Sequence, residues 1–179
     1  MENLVTITIN GKTAQVPSNY TIMQAADEMG ISIPRLCFLK DINENASCRV
    51  CVVEIAGMRS LKNSCSVEVG SILNREGTAT IYTNSKRVRS SVRQTLELIA
   101  ANHRFDCWKC PREHNCELLA LLRRFSIDNK MAESGEFAKK LPIINESDAI
   151  VFDSSKCVLC GRCIAACEKL SGTGVLNFN

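Results

Sequence analysis

Eleven of the 179 residues are cysteine, and every one falls into one of three groups. Cys37, Cys48, Cys51 and Cys65 form the first group. Cys107, Cys110 and Cys116 form the second, with His103 just ahead of them. Cys157, Cys160, Cys163 and Cys167 form the third. With the histidine counted, each group offers the set of donors that an iron–sulfur cluster takes from a protein. No thiol is left over. A chain that commits all its thiols in this way is built to carry electrons and performs no bond chemistry itself.

In the first group the spacing Cys-x10-Cys-x2-Cys-x13-Cys supplies four thiolates, the number a 2Fe–2S centre requires. Two come from the tight turn Cys48-Arg49-Val50-Cys51, and two come from flanking segments that must fold back. Ser47, Arg49 and nearby backbone amides are placed to donate hydrogen bonds to sulfur and so tune the potential. Zinc and plain core cysteines are the alternatives. A zinc site with four cysteine ligands usually shows two tight pairs, and only one is present here.

In the second group, His103-x3-Cys107-x2-Cys110-x5-Cys116, the histidine sits just ahead of three cysteines and supplies the missing fourth donor. Replacing a thiolate by neutral imidazole removes one negative charge, and imidazole ligation raises the potential in the Rieske case. A histidine ligand also titrates near neutrality, which makes the potential sensitive to pH. The donor types equally allow a zinc site with three cysteines and one histidine. His114, inside the same loop, reads as an exposed residue.

The third group, Cys157-x2-Cys160-x2-Cys163-x3-Cys167, is the bacterial ferredoxin run. In that pattern three thiols on a short loop clasp one cube and the fourth ligates another cluster. Cys157, Cys160 and Cys163 are therefore expected to be three ligands of a 4Fe–4S site that is incomplete in this chain. Cys167, expected at the start of a helix pointing away, would serve a further 4Fe–4S cluster. No second cysteine run follows before Asn179.

The elements that must position these donors are legible in outline. Leu4 to Ile9 alternates as a strand, Asn10-Gly11 fits a type I′ turn, and Thr13 to Val16 returns. Thr21 and Gln24 form a capping box ahead of a helical stripe of Ile22, Ala25, Ala26 and Met29, with Gly30 at its end. A third strand fits Val50 to Ile55 and a last one Thr80 to Thr83. From residue 85, Val88, Val92, Leu96 and Ile99 mark a helix capped by Asn84 or Ser85. Cys116 to Phe125 reads as a second helix. Residues 126–149 are polar with weak periodicity, and a short strand, Ile150 to Phe152, precedes the last motif.

Composition narrows the class. Hydrophobic residues make up 45 % of the chain, ordinary for a globular protein. No apolar run approaches the ~20 residues that span a bilayer. Met1-Glu2-Asn3 lacks the basic region of a signal peptide, so a reducing cytoplasm is expected, where clustered thiols bind metals. The formal charge of +3 ignores the thiolates. A 2Fe–2S core with four thiolates carries about −2 and a 4Fe–4S core with three about −1, so the loaded chain is near neutral. Nucleic-acid binding is not indicated. Lys86, Arg87, Arg89 and Arg93 crowd the start of one helix, the unfavourable end of its dipole. They form either a solvated face or a docking surface for an acidic partner.

Three motifs then carry a resemblance. The first cysteine spacing, on a β-grasp-like pattern, resembles the 2Fe–2S domain shared by FeFe-hydrogenases and the large iron–sulfur subunit of respiratory complex I. Cys107-Trp108-Lys109-Cys110-Pro111-Arg112-Glu113-His114-Asn115-Cys116-Glu117-Leu118-Leu119 resembles the histidine-ligated 4Fe–4S segment of FeFe-hydrogenases. The complex I protein and some formate dehydrogenases share its spacing. Lys156 to Cys163, continuing to Cys167, resembles the first ferredoxin motif of the same hydrogenases.

The resemblance implies an α+β architecture: a β-grasp 2Fe–2S domain (1–84), a small helical histidine-ligated 4Fe–4S domain (85–125), a linker (126–149) and the start of a bacterial ferredoxin-like domain (150–179). It implies an electron-transfer module between an external donor and an H-cluster domain whose cysteine motifs would lie beyond this sequence. The sequence is then either truncated or a short subunit that completes its last clusters with another chain. The implied partners are a ferredoxin or a flavoprotein NADH-oxidising subunit, and a hydrogenase catalytic domain. Neither nucleic acid nor membrane is among them. The corresponding region of a formate dehydrogenase or NADH dehydrogenase-type complex, and a stand-alone carrier, are the alternatives.

Overall fold

The computed structural model describes residues 3–128, 143–147 and 150–177. By contacts the chain divides into two units, residues 1–92 with 161–179, and residues 93–160.

The first unit is built on a five-stranded mixed sheet. Strands β1 (Leu4–Ile9) and β2 (Lys12–Pro17) form the expected hairpin, with Val5 opposite Val16 and Ile7 opposite Ala14. Asn10 and Gly11 have φ of 50° and 85°, the paired positive values of a type I′ turn. Helix α1 (Ile22–Glu28) starts at the capping box. Thr21 Oγ1 accepts from the Gln24 N–H at 3.2 Å, and Gln24 Oε1 accepts from the Thr21 N–H at 2.8 Å. It ends in a Schellman turn: the Ile31 N–H reaches Ala26 O at 2.8 Å and the Gly30 N–H reaches Asp27 O at 3.0 Å. Gly30, at φ 68°, supplies the left-handed residue this turn needs.

Strands β3 (Val52–Ile55), β4 (Lys62–Asn63) and β5 (Thr78–Tyr82) complete the sheet in the order β2-β1-β5-β3-β4. The central pair β1 and β5 is parallel, and β3 runs antiparallel to β5. Several boundaries differ from those expected: β2 spans Lys12–Pro17 in place of Thr13 to Val16, and β5 begins at Thr78 in place of Thr80. The third strand begins at Val52 because the Cys51 carbonyl is taken by the Ser64 N–H (3.1 Å) and hydroxyl (2.8 Å). The last strand ends at Tyr82 because the Thr83 N–H turns to Asn10 Oδ1 (2.9 Å). Ile22, Met23, Ala25 and Ala26 of α1 pack with Ile7, Ile9, Val53 and Ile81 in one apolar core, and that core includes Cys51 and Cys65. Gly70 donates to Ser18 O at 2.8 Å, and a Cβ there would stand 2.9 Å from the same oxygen.

Helix α2 (Lys86–Ala101) is started by Ser85, whose hydroxyl accepts the Val88 N–H (3.2 Å) and donates to Glu54. Its buried stripe is Val88, Val92, Leu96 and Ala100, one residue past the expected Ile99. Steps of four continue to the end because Ile99 lies half-covered beside the stripe.

In the second unit, α3 (Glu117–Arg124) buries Leu118, Leu121 and Leu122. Cys116 and Phe125 flank this helix as caps and stand outside its body, unlike the sequence reading. Strand β6 (Ile143–Ser147) pairs antiparallel with β7 (Ile150–Asp153). The stretch read as a connection, 126–149, therefore contains a strand. Its two isoleucines lie among polar residues, too few to signal a period, and the pairing comes from β7. Residues 129–142 and 148–149 of that stretch lie outside the described residues. Helix α4 (Arg162–Lys169), back in the first unit, follows Gly161 at φ 74°. Among the described residues no helix is long and apolar enough to cross a membrane.

Candidate iron–sulfur centres

The four thiols of the first group stand in two pairs. Cys51 Sγ lies 3.4 Å from Cys65 Sγ, and the Cys48 thiol hydrogen-bonds Cys37. Cys37, Cys51 and Cys65 are buried, and Cys48 is half-covered. The folding reason is local. The first two amides of α1, which no helix carbonyl can satisfy, donate to Val67 O and Ser64 O at 2.9 Å. The start of the helix thus holds both sides of Cys65. Asn43, buried, donates to the Cys37 carbonyl at 2.8 Å and holds that loop. Arg49 and Ala46 take positive φ, which folds the Cys48–Cys51 turn back on itself.

Each pair shares a proton. The Cys48 thiol, helped by Ser47, draws Cys37 down to about 5. The Cys65 thiol, helped by Ser64, draws Cys51 down to about 6. Cys48 and Cys65, which keep the protons and are desolvated, are pushed up. The four donors thus stand two on each side. That arrangement fits a two-iron core with two protein ligands per iron. Ser47 acts where the sequence placed it. Ser64 was missed, although the signal existed: Ser precedes Cys at both 47–48 and 64–65.

The second group lies on short 3₁₀ turns at Cys107–Lys109 and Glu113–Asn115, followed by α3. His103, Cys107, Cys110 and Cys116 together line a small pocket of about 20 Å³, partly open to solvent, with Phe105 and Leu118 on its wall. His103 Nδ1 is buried and has no hydrogen-bond partner among the described residues. Burial, then the Lys156 charge, pull the His103 pKa down, so its imidazole is held neutral and able to donate a lone pair. Burial pushes the Cys107 thiol up. Cys116 Sγ accepts the Leu119 N–H at 3.4 Å from the first turn of α3. His114 is exposed, as its position implied. Imidazole and thiol are both donor types that iron–sulfur clusters take. Among the described residues, no three His, Cys, Asp or Glu side chains are placed to hold a single metal ion.

In the third run, Cys157 and Cys160 lie on irregular chain after β7, and Cys157 Sγ accepts the Leu159 N–H at 3.4 Å. Cys163 and Cys167 lie four apart on one face of α4. This corrects one expectation. Arg162 and Cys163 open the helix and Cys167 lies near its end, because Gly161 turns the chain into the helix early. Thr173, together with the Leu176 and Val175 amides, lowers Cys167 to about 7, and the Thr173 hydroxyl stands 3.3 Å from its sulfur. Arg162 reaches back to the first group, donating to Phe38 O at 2.9 Å and Cys37 O at 3.3 Å. No sequence signal announced that contact, which joins positions 125 apart.

Three families match the chain and define its class. Residues 2–74 match the 2Fe-2S iron-sulfur cluster binding domain. Residues 93–130 match the NADH-ubiquinone oxidoreductase-G iron-sulfur binding region, and residues 150–169 match the 4Fe-4S binding domain. The protein is an iron–sulfur protein with ferredoxin-like 2Fe–2S and 4Fe–4S domains.

Its relatives narrow this further. The chain is 39 % identical over 180 residues to NADP-reducing hydrogenase subunit HndD of Solidesulfovibrio fructosivorans, matching 98 % of this chain and 29 % of that protein. It is 33 % identical to iron hydrogenase 1 of Clostridium pasteurianum, over 97 % of this chain and 29 % of the relative. A G-type NADH-quinone oxidoreductase protein of Rhizobium meliloti is 27 % identical over 97 % of this chain and 20 % of its own. The fold matches a crystal structure of an NAD+-reducing [NiFe]-hydrogenase in the H2-reduced state. The TM-score is 0.82, with 24 % identity, over 98 % of this chain and 70 % of that one. The chain corresponds to the N-terminal iron–sulfur region of the iron hydrogenases and the G-type NADH-quinone oxidoreductase proteins. It spans less than a third of the length of these curated relatives.

Proposed function

We propose that the chain is the electron-input module of an FeFe-hydrogenase, relaying electrons between an external donor and a catalytic part not included in this sequence. Cys37 with Cys48, and Cys51 with Cys65, hold a 2Fe–2S centre. His103, Cys107, Cys110 and Cys116 hold a 4Fe–4S centre. Cys157, Cys160 and Cys163 begin another, and Cys167 serves a further one. When bound, such clusters supply one-electron carriers. The chain's own part is to hold the donors, exclude water from the buried thiols and aim hydrogen bonds at sulfur. Residues 1–84, 85–125 and 150–179 are the corresponding β-grasp, helical and ferredoxin-like domains, joined by 126–149. A cytoplasmic location and a ferredoxin or flavoprotein donor follow from the same reading.

The observation that carries this is the paired thiol geometry of the first group, where Cys51 lies 3.4 Å from Cys65, Cys48 hydrogen-bonds Cys37, and three of the four thiols are buried. The higher identity to the hydrogenases than to the G-type oxidoreductase protein favours the hydrogenase reading. The family matched over residues 93–130 keeps an NADH dehydrogenase-type component as the second reading. Anaerobic purification with iron, sulfide and zinc analysis, joined to EPR of the reduced chain, tests the first claim. Zinc in place of iron and sulfide would end it. Reading the gene past codon 179 separates the two readings, since H-cluster motifs support the first and a molybdopterin-type domain refutes it.

A further inference from the structure

Four charged side chains join the histidine loop to the segment that leads into the third cysteine run. Arg104 Nη2 lies 2.6 Å from Asp153 Oδ2 and 3.3 Å from Asp106 Oδ2. Lys156 Nζ lies 2.9 Å from Asp106 Oδ1. The backbone repeats the connection, with the Arg104 N–H donating to Ser155 O at 2.9 Å. Asp153 Oδ1 in turn accepts the Ser155 N–H and hydroxyl. Arg104 follows His103, Asp106 precedes Cys107, and Lys156 precedes Cys157. The group is balanced, two cations against two anions. Lys156 and Asp153 are well covered, with 19 % and 16 % of their side chains exposed, while Asp106 keeps 28 % and Arg104 43 %.

A balanced, covered group of this kind does more than brace two loops. Charges screened weakly by water act on a neighbouring redox centre through space. We infer that Lys156 and Asp106 are positioning residues whose opposed charges set the reduction potential of the centre at His103. The inference rests on the iron–sulfur reading above. Reduction takes one electron from the titrant into the centre, makes it more negative and breaks no bond. Lys156 favours that product and Asp106 opposes it. Removing one of them leaves the other's charge uncancelled, so the two deletions act with opposite sign. A mere brace would move both variants the same way, or neither.

The test is an EPR-monitored redox titration of the full chain, loaded anaerobically with iron and sulfide. Lys156→Gln should lower the midpoint of the 4Fe–4S centre at His103, and Asp106→Asn should raise it. Lys156→Arg keeps the charge and should restore the wild-type value. The double variant Lys156→Gln/Asp106→Asn should return toward it. The 2Fe–2S midpoint should stay fixed throughout. Shifts of equal sign, no shift in either single variant, or an equal shift at the 2Fe–2S centre would overturn the inference while leaving the cluster reading standing. A wild-type chain with 2Fe–2S but no 4Fe–4S signal would overturn the reading of the second group and the inference with it.

Discussion

His103 is the residue whose replacement has the clearest sign. Burial and the Lys156 charge hold its imidazole neutral, and its Nδ1 faces no partner among the described residues. Changing His103→Cys replaces a neutral donor by a thiolate. The added negative charge should lower the midpoint of that centre and leave the 2Fe–2S midpoint in place, read by the same potentiometric EPR. Cys110→Ser should abolish one 4Fe–4S signal and preserve the 2Fe–2S signal; loss of both with the fold intact would contradict separate sites. Ser64 is a structural counterpart. Its buried hydroxyl donates to the Cys51 carbonyl at 2.8 Å. Ser64→Ala should cost about 1 kcal/mol in denaturant unfolding, since the Ser64 N–H still satisfies that carbonyl.

At the scale of elements, α1 bears most directly on the first centre, because its opening amides hold the carbonyls on both sides of Cys65. Thr21→Ala removes one half of the capping box and should cost about 1 kcal/mol, seen as a lower denaturant midpoint with an unchanged slope. The elements that sequence revealed were those with local signals. Asn10-Gly11 dictates the hairpin through positive φ, and Thr21 with Gln24 dictates the helix start through hydrogen bonds three residues apart. Strand β4 is two residues long and has no period of its own. It exists because β3 pairs with it. Cysteine spacing marked the candidate donors one by one, since each motif is short. What sequence left hidden is the set of charged groups between motifs: Arg162 on the Cys37 loop, and Arg104 with Asp153. Such contacts depend on tertiary placement, and an isolated arginine looks the same whether it is solvated or anchored.

At the scale of the whole molecule, the regions differ in what holds them. The mixed sheet and α1 enclose an apolar core of their own. The loop from Phe105 to Cys116 has no buried residue at all and only two short 3₁₀ turns. Stripping iron with a chelator should therefore leave amide exchange slow in β1, β5 and α1, and make it fast from Phe105 to Cys116. Equal loss of protection in both regions would show that the sheet, too, folds around its metal.

The placement of β5 has a consequence for how the protein is made. This strand sits between β1 and β3, so within the sheet it is the neighbour that the two hairpins share. Cys37, Cys48, Cys51 and Cys65 all leave the ribosome before Thr78 does. A nascent polypeptide halted short of that strand already possesses every sulfur of its first centre, together with the helix that holds Cys65. Closure of the sheet therefore comes last, through a segment that contributes no ligand.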